Sequence, residues 1–382
     1  MTRKICAVIA SRANYGRVKP VLSAIKAHDN LELQLIAGAS LLLERYGNAV
    51  NVVERDGFEI NRKIHYVLEG SNPITQAKTT GLGIIELASA FEELAPDIVI
   101  TVADRFETMS TAIAASYMNI LLAHIQGGEI TGNIDETVRH AITKLSHYHF
   151  PSTEQSAERL KKMGEEEWRI LNSGCPSIDT IVSQDLSLKG ALDYMTAGVG
   201  DKFDSNKPYI LISQHPVTSE YENSYNQILE TLTAASEFNI QKVVLWPNSD
   251  AGSDLLSKGI RNFRESHEGA GFRYFKNFPP EIYNALLKNA ACLVGNSSSF
   301  IREGSYLGTP AVIIGDRQEG REHGANVVFV PNEKAQIKHA IRNQVKHGPY
   351  KAETIFGNGT AGVQIADYLS TVNLSINKRM TY

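Results

Sequence analysis

Short β-rich runs alternate with longer amphipathic segments along this 382-residue chain, beginning with KICAVIA at 4–10 and LELQLIAG at 31–38. Strands separated by helices pair in parallel, so the alternation predicts an α/β fold built on parallel sheet. In the first half, 97–102 and 120–125 read as further strands, and 17–27, 74–94, 105–117 and 134–145 read as helices. Strands near His149 and over 168–172 close that half. From 174 to 206 the periodicity fades among Ser, Asp, Gly and Lys, after which PYILISQHP at 208–216 opens a second βα series. That series continues through NIQKVVLWPNSD, FRYFKNFPP, AACLVGNSSS and TPAVIIGDRQ, each an apolar run that ends in polar residues or glycine. The length exceeds what one core usually organises, and two domains are expected: 1–174 and 175–357, with the boundary near Cys175. The remaining 358–382 carries apolar residues at Val363, Ile365, Ala366 and Leu369, the spacing of a last helix able to pack across both domains.

Composition removes several classes of function. The net charge is −4 and no Lys/Arg block is long enough to track a phosphate backbone, which argues against nucleic acid. No apolar run approaches a membrane span, and the N-terminal apolar stretch is too short for a signal segment, so the expected setting is the cytoplasm with no membrane partner. Cys6, Cys175 and Cys292 lie far apart without metal spacing; Cys6 and Cys292 sit in strand-like runs as small hydrophobes. His147 and His149 alternate on a strand but lack a nearby third ligand, so no metal is expected. The first βα turn, ASRANYGR, is not GxGxxG, and a dinucleotide cofactor is not supported.

Two clusters carry chemistry. In AHIQGGEITGNIDETVR, a strand runs into a glycine-broken loop holding His124, Glu129 and Asp135, while Asp104 and Arg105 end the preceding strand. Proton removal and return need groups in different protonation states, and Asp104, Glu129 and Asp135 are the candidates. Structural readings compete: Asn133 with Glu136 resembles a capping box, and Asp135 with Arg139 has the spacing of a helical ion pair. The second cluster is LVGNSSSFIRE at 293–303, a strand, a glycine and a serine-rich turn opening a helix, where an anion can sit. One serine there can equally be an N-cap. Glu303 can reach ribose hydroxyls or pair with Arg302. Arg317 in GDRQ is a second phosphate contact or an exposed loop arginine, and His215, ending its strand before Pro216, is a donor to a departing phosphate or a structural histidine. Arg12 sits where first-turn side chains face a cleft.

Taken in order, SRANYGR, ADRFE, AHIQGGEITGNIDETVRHAITKLSHYH, QHPVT, WPNSDAG, GNSSSFIRE and GDRQEGR resemble the hydrolysing uridine-diphosphate N-acetylglucosamine 2-epimerases over nearly the whole chain. The resemblance implies GT-B architecture, two Rossmann-like domains with parallel sheets facing a central cleft. It implies elimination of the nucleoside diphosphate to a 2-acetamidoglucal, then addition of water to release a free manno-configured amino sugar for nonulosonic (sialic or legionaminic) acid synthesis. No metal or dinucleotide is implied, the partner is a nucleotide sugar carrying uridine diphosphate (UDP), and the assembly is a homodimer or homotetramer. The resemblance assigns Arg12 and Ala13 to the cleft, Asp104 and Arg105 to sugar and diphosphate, and Asp135 to catalysis. His215 and Arg317 fall near the diphosphate, Asn248 near the substrate, Ser297 and Ser298 on phosphate oxygens and Glu303 on ribose.

Gln126 stands where glucosamine-type members carry a catalytic glutamate, and an amide cannot ionise. Either Asp104, Glu129 and Asp135 carry the proton transfers, or the substrate is a 2,4-diacetamido-2,4,6-trideoxyglucose nucleotide whose extra acetamido group is bonded by the Gln126 amide. A GT-B glycosyltransferase and a nucleotide-sugar-binding protein without turnover are the other readings.

Overall fold

The computed structural model describes residues 2–131 and 134–381. Six strands form the first sheet: β1 (Arg3–Ile9), β2 (Leu31–Gly38), β3 (Arg62–Ile64), β4 (Ile98–Val102), β5 (Leu121–Ile125) and β6 (Tyr148–Phe150). Their order is β3-β2-β1-β4-β5-β6, all parallel. Seven form the second: β7 (Val199–Gly200), β8 (Tyr209–Ser213), β9 (Gln241–Leu245), β10 (Phe272–Phe275), β11 (Cys292–Gly295), β12 (Ala311–Ile314) and β13 (Val327–Val330). That order is β13-β12-β11-β8-β9-β10-β7, with only β7 antiparallel.

Both sheets are buried on both faces, as the near-continuous apolar runs require. Along β1, Ile5, Ala7 and Ile9 join one core while Cys6 and Val8 join the other. Along β8, Tyr209 and Leu211 face one core of the second lobe and Ile210 and Ile212 the other. Each such fully buried aliphatic side chain contributes about 1.5–3 kcal/mol. Cys175, Ile178 and Ile181 belong to the second lobe's core. The helix Ala361–Thr371 returns to the first, where Ile365, Ala366 and Leu369 pack among Val18, Leu22 and Ile25. Beyond it the tail is tied to the first lobe: Tyr148 donates to the Asn373 carbonyl at 2.7 Å, and Lys378 donates to the Thr143 and Ser146 carbonyls at 3.0 and 2.7 Å.

The expected strand over 168–172 is not formed. Glu167–Arg169 is a 3-10 turn and Ile170 makes one isolated bridge to His149. Buried Arg169 shapes this stretch, donating to Glu166 at 2.6 Å and to the Asn377 carbonyl at 2.7 Å.

Each sheet reverses its winding once, between β1 and β4 and between β8 and β11, and the loops leaving those strand ends face each other across the cleft. Two close approaches fix the loops. Gly295 ends β11 at φ +136°, where a Cβ would lie 2.2 Å from the Ser213 carbonyl. At Gly128, φ +77°, a Cβ would lie 2.4 Å from the Ser156 carbonyl. Ala103 and Gln126, at φ +66° and +65°, hold left-handed backbone just past β4 and β5 and turn the chain off the sheet.

Candidate active site

The first lobe contributes the ends of β1 and β4 and the helix Ile134–Leu145 to the cleft wall. Ser11 caps the helix Arg12–Ala27, accepting from the Asn14 N–H at 3.2 Å, and thereby places Arg12, Ala13 and Arg17 on that wall. Asp104 and Arg105 line it after β4, and Asp135 lines it from the first turn of its helix. The second lobe contributes His215 after β8, Asn248 after β9, Ser297, Ser298 and Glu303 after β11, and Arg317 after β12. Trp246, Pro247, Phe278 and Pro280 add an apolar surface beside them.

The acidic groups differ sharply in acidity. Burial opposes ionisation of Asp104, but Arg139, Arg17 and Arg321 outweigh it and hold the carboxyl well below the ordinary range. Arg139 donates to Asp104 from Nε at 3.0 Å and again from Nη2. Asp135 goes the other way: burial first, then the Asp104 charge, raise it to about 6, with Arg317 at 3.6 Å working against them. Two carboxyls in one cleft with acidities pushed apart are the arrangement expected of an acid-base site.

His215 is held in one orientation. Its Nδ1 accepts from the Asn248 backbone N–H at 3.2 Å, its own N–H donates to Asn296 at 2.7 Å, and the neutral ring therefore carries its proton on Nε2. Burial and then Arg317 push its pKa well down, so the ring is neutral at neutral pH. The serine turn is the 3-10 segment Ser298–Phe300 followed by a helix of only six residues, Arg302–Leu307, neither with a side-chain cap. Hydroxyls fill it instead: Ser297 and Ser299 are 2.8 Å apart, Tyr283 reaches Ser299 at 2.6 Å, and Arg17 donates to Ser298 at 2.7 Å. One buried oxygen of Glu303 has no partner among the described residues.

Arg105 and Arg317 meet on Asp250. Arg105 binds Glu107 through two nitrogens at 2.9 and 3.1 Å, Ser249 at 2.8 Å and Asp250 at 2.7 Å, whereas Arg317 reaches the second Asp250 oxygen at 3.0 Å. Arg12 also spans the lobes, donating to Asn277 at 2.8 Å.

The UDP-N-acetylglucosamine 2-epimerase family model matches residues 23–370. The chain belongs to that family. It is 33% identical over 374 residues to UDP-N,N'-diacetylbacillosamine 2-epimerase (hydrolyzing) of Legionella pneumophila, covering 98% of this chain and 97% of the relative. It is 34% identical over 330 residues to GDP/UDP-N,N'-diacetylbacillosamine 2-epimerase (hydrolyzing) of Campylobacter jejuni, covering 85% and 84%. The crystal structure of Methanocaldococcus jannaschii UDP-GlcNAc 2-epimerase in complex with UDP-GlcNAc and UDP superposes with TM-score 0.81 at 18% identity, over 96% of this chain and 99% of that one. The two Rossmann-like lobes are thus the GT-B-like fold of the epimerases.

Within this epimerase fold, the residues expected at the cleft are on its wall with two exceptions, Glu129 and Gln126. Glu129 is enclosed by Arg302, at 2.5 Å, and Arg321, both from the second lobe. Burial alone would raise its pKa, but the two guanidiniums bring it down to about 2. Its ion pairs join the two lobes. Gln126 is fully buried, its amide nitrogen donating to Cys175 Sγ at 3.0 Å while its amide oxygen has no partner among the described residues.

The pairings expected from helical spacing are also replaced. Arg139 serves Asp104 and the Glu129 carbonyl (2.7 Å), leaving Arg317 to face Asp135. Arg302 pairs with Glu129 and not with Glu303. The capping-box residue Asn133 lies outside the described residues, while Glu136 accepts the Thr131 N–H at 2.7 Å. His124 is internal, bonded to the Ala103 carbonyl at 2.8 Å and lowered to about 3 by burial. Arg17, Ser249, Tyr283 and Arg321 line the cleft and carry no signal in the sequence beyond lying in or beside the family motifs.

Proposed function

We propose that this chain is a hydrolysing sugar-nucleotide 2-epimerase that converts a UDP-linked 2-acetamido sugar to UDP and a free manno-configured sugar. The observation that carries the reading is the pairing, across one cleft, of two carboxyls of unequal acidity with an anion site of His215, Arg317 and the serine turn. Asp135, with a pKa near 6, is ionised in most molecules at neutral pH and basic enough to take the C2 proton. As it does so, the C1–O bond breaks, its electron pair leaves on the β-phosphate oxygen, and a C1=C2 double bond forms. His215 donates from Nε2 and Arg317 contributes its charge to the departing diphosphate, the point at which electrostatic stabilisation counts most. Asp104 stays ionised and stabilises positive charge developing at C1. Water then adds its oxygen to C1 and gives up a proton to solvent, C2 takes a solvent proton on the opposite face, and Asp135 releases the proton it took, which restores the carboxylate. Ser297 and Ser298 take phosphate oxygens, Glu303 takes ribose hydroxyls through its unpartnered oxygen, and Arg12, Ala13, Arg105 and Asn248 shape the remaining wall.

The sugar is a 2,4-diacetamido-2,4,6-trideoxyglucose. The names of the Legionella and Campylobacter relatives support this. The lobe assignment, 1–174 for acid-base chemistry and 175–357 for the nucleotide with 358–382 returning to the first, is supported by the cores that Cys175 and Leu369 join. A homodimer or homotetramer is part of the proposal, supported by exposed Ile74, Leu82 and Ile85 along one helix. No helix among the described residues is long and apolar enough to cross a membrane, and three free buried thiols suit a cytoplasmic setting.

NMR in deuterated water tests the reaction, with UDP-N-acetylglucosamine in one tube and its 2,4-diacetamido-trideoxy relative in the other. Free manno product deuterated at C2 is expected, formed faster from the second. Faster turnover of the first would overturn the sugar assignment, and nucleotide-linked product would overturn hydrolysis.

A further inference from the structure

Arg321 lies four residues beyond Arg317 in the loop after β12, only 5% exposed and on the cleft wall. Glu129 holds one end of its guanidinium through Nη1, and Nε has no hydrogen-bond partner among the described residues. A buried charged donor without an acceptor is costly, more so in the low dielectric of a closed cleft. Arg17, Arg139, Arg302 and Arg321 crowd together against Asp104, Glu129 and Glu303, guanidinium facing guanidinium. Burial and the facing Arg302 and Arg139 bring Arg321 down to about 9, the opposite of a cation satisfied by its partners. It shares one cavity wall with the serine turn, where Arg17 reaches Ser298, and with Asp104, whose charge acts on it.

We propose that Arg321 is a further substrate-binding residue, its free Nε edge donating to an oxygen of the sugar-proximal phosphate, with Glu129 as the positioning residue that holds its other end. Position selects the phosphate. A group on the cleft wall that feels the Asp104 charge stands at the sugar end of the diphosphate, where the phosphate joined to the sugar is the β-phosphate, and Arg321 thereby adds to Arg317 and His215 on the leaving group. The inference rests on the reading that a UDP-sugar fills the cleft.

Titration calorimetry with UDP and UMP on the full chain separates the two claims, because UMP lacks the β-phosphate. Wild type is expected to bind UDP more tightly than UMP. Arg321→Gln is expected to weaken UDP by about ten- to a hundred-fold and UMP by less than about two-fold, the scale of one hydrogen bond to a charged group. Equal losses for both nucleotides, or unchanged UDP affinity, would overturn the inference and leave the cleft assignment standing. Wild type that binds no UDP removes the cleft reading and the inference with it. Arg321→Lys keeps the charge without the Nε edge and decides the matter if the glutamine variant does not fold: a loss greater for UDP than for UMP supports the role, and equal loss overturns it.

Discussion

Replacing Glu129 by glutamine decides whether the most conspicuous acid of the HIQGGE loop does chemistry or holds the lobes together. Its side chain and those of Arg302 and Arg321 are each no more than 4% exposed, so solvent screens their interaction little. A carboxyl brought from 4.5 to about 2 contributes about 3 kcal/mol to folding at neutral pH. Removing one partner of a buried ion pair costs roughly 3–5 kcal/mol, and the two estimates agree. The sign follows from the direction of the shift. Because the folded-state pKa is depressed, the stabilisation is complete above about 4.5 and is lost as pH falls through about 2. Glu129→Gln is therefore expected to lower Tm by about 5 °C or more at pH 7, with the gap to wild type narrowing between pH 4 and pH 2. Thermal scanning at several pH values, with turnover measured well below Tm, reads both effects. A variant with wild-type Tm and abolished turnover would refute the lobe-joining role and return Glu129 to the proton chemistry.

The pH dependence of kcat/KM is expected to rise through about pH 6 as Asp135 loses its proton, with Asp104→Asn moving that limb to lower pH by removing the neighbouring negative charge. In wild type the corresponding limb in kcat is expected at higher pH, and the two profiles come from the same initial-rate measurements. His215→Ala is expected to lower kcat by about 100-fold, because the Nε2 donor to the leaving diphosphate is lost; saturating-substrate rates check it. Gly295→Ala drives a Cβ to 2.2 Å from the Ser213 carbonyl and is expected to cost at least about 1–3 kcal/mol, read by thermal unfolding.

The helices and central strands were legible because apolar periodicity and strand ends in glycine or polar residues are local properties of the chain. The helix Ile134–Leu145 and strand β2 match the pattern to the residue. The edge strands β3 and β7 were not: they have three and two residues, and each is recruited by a neighbour without strong β-propensity of its own. At the site, strand-end position placed Asp104, His215 and Arg317 on the cleft, since the fold delivers those ends to one rim. The roles of Glu129, Gln126 and Arg321 depend on partners 173, 49 and 192 positions away, and no local spacing encodes such a pairing. A carboxylate in a glycine-broken loop looks the same in sequence whether it faces a substrate or two arginines from the opposite lobe.

Arg317 links binding to proton chemistry. It stands 3.0 Å from Asp250 and 3.6 Å from Asp135, and its charge is the strongest force keeping Asp135 from rising further. A diphosphate docking on the same guanidinium neutralises that charge and adds negative charge beside Asp135. Both changes favour the protonated carboxyl. The base that must take the C2 proton thus becomes a stronger base as the substrate seats, and it holds the proton more firmly until the diphosphate leaves. An opposite charge within about 4–6 Å shifts a carboxyl by about 1–3 pH units, so the kcat limb should lie that far above the kcat/KM limb. Coincident limbs would mean that Arg317 stays on the carboxylates when the diphosphate binds, leaving the serine turn, His215 and Arg321 to stabilise the leaving group.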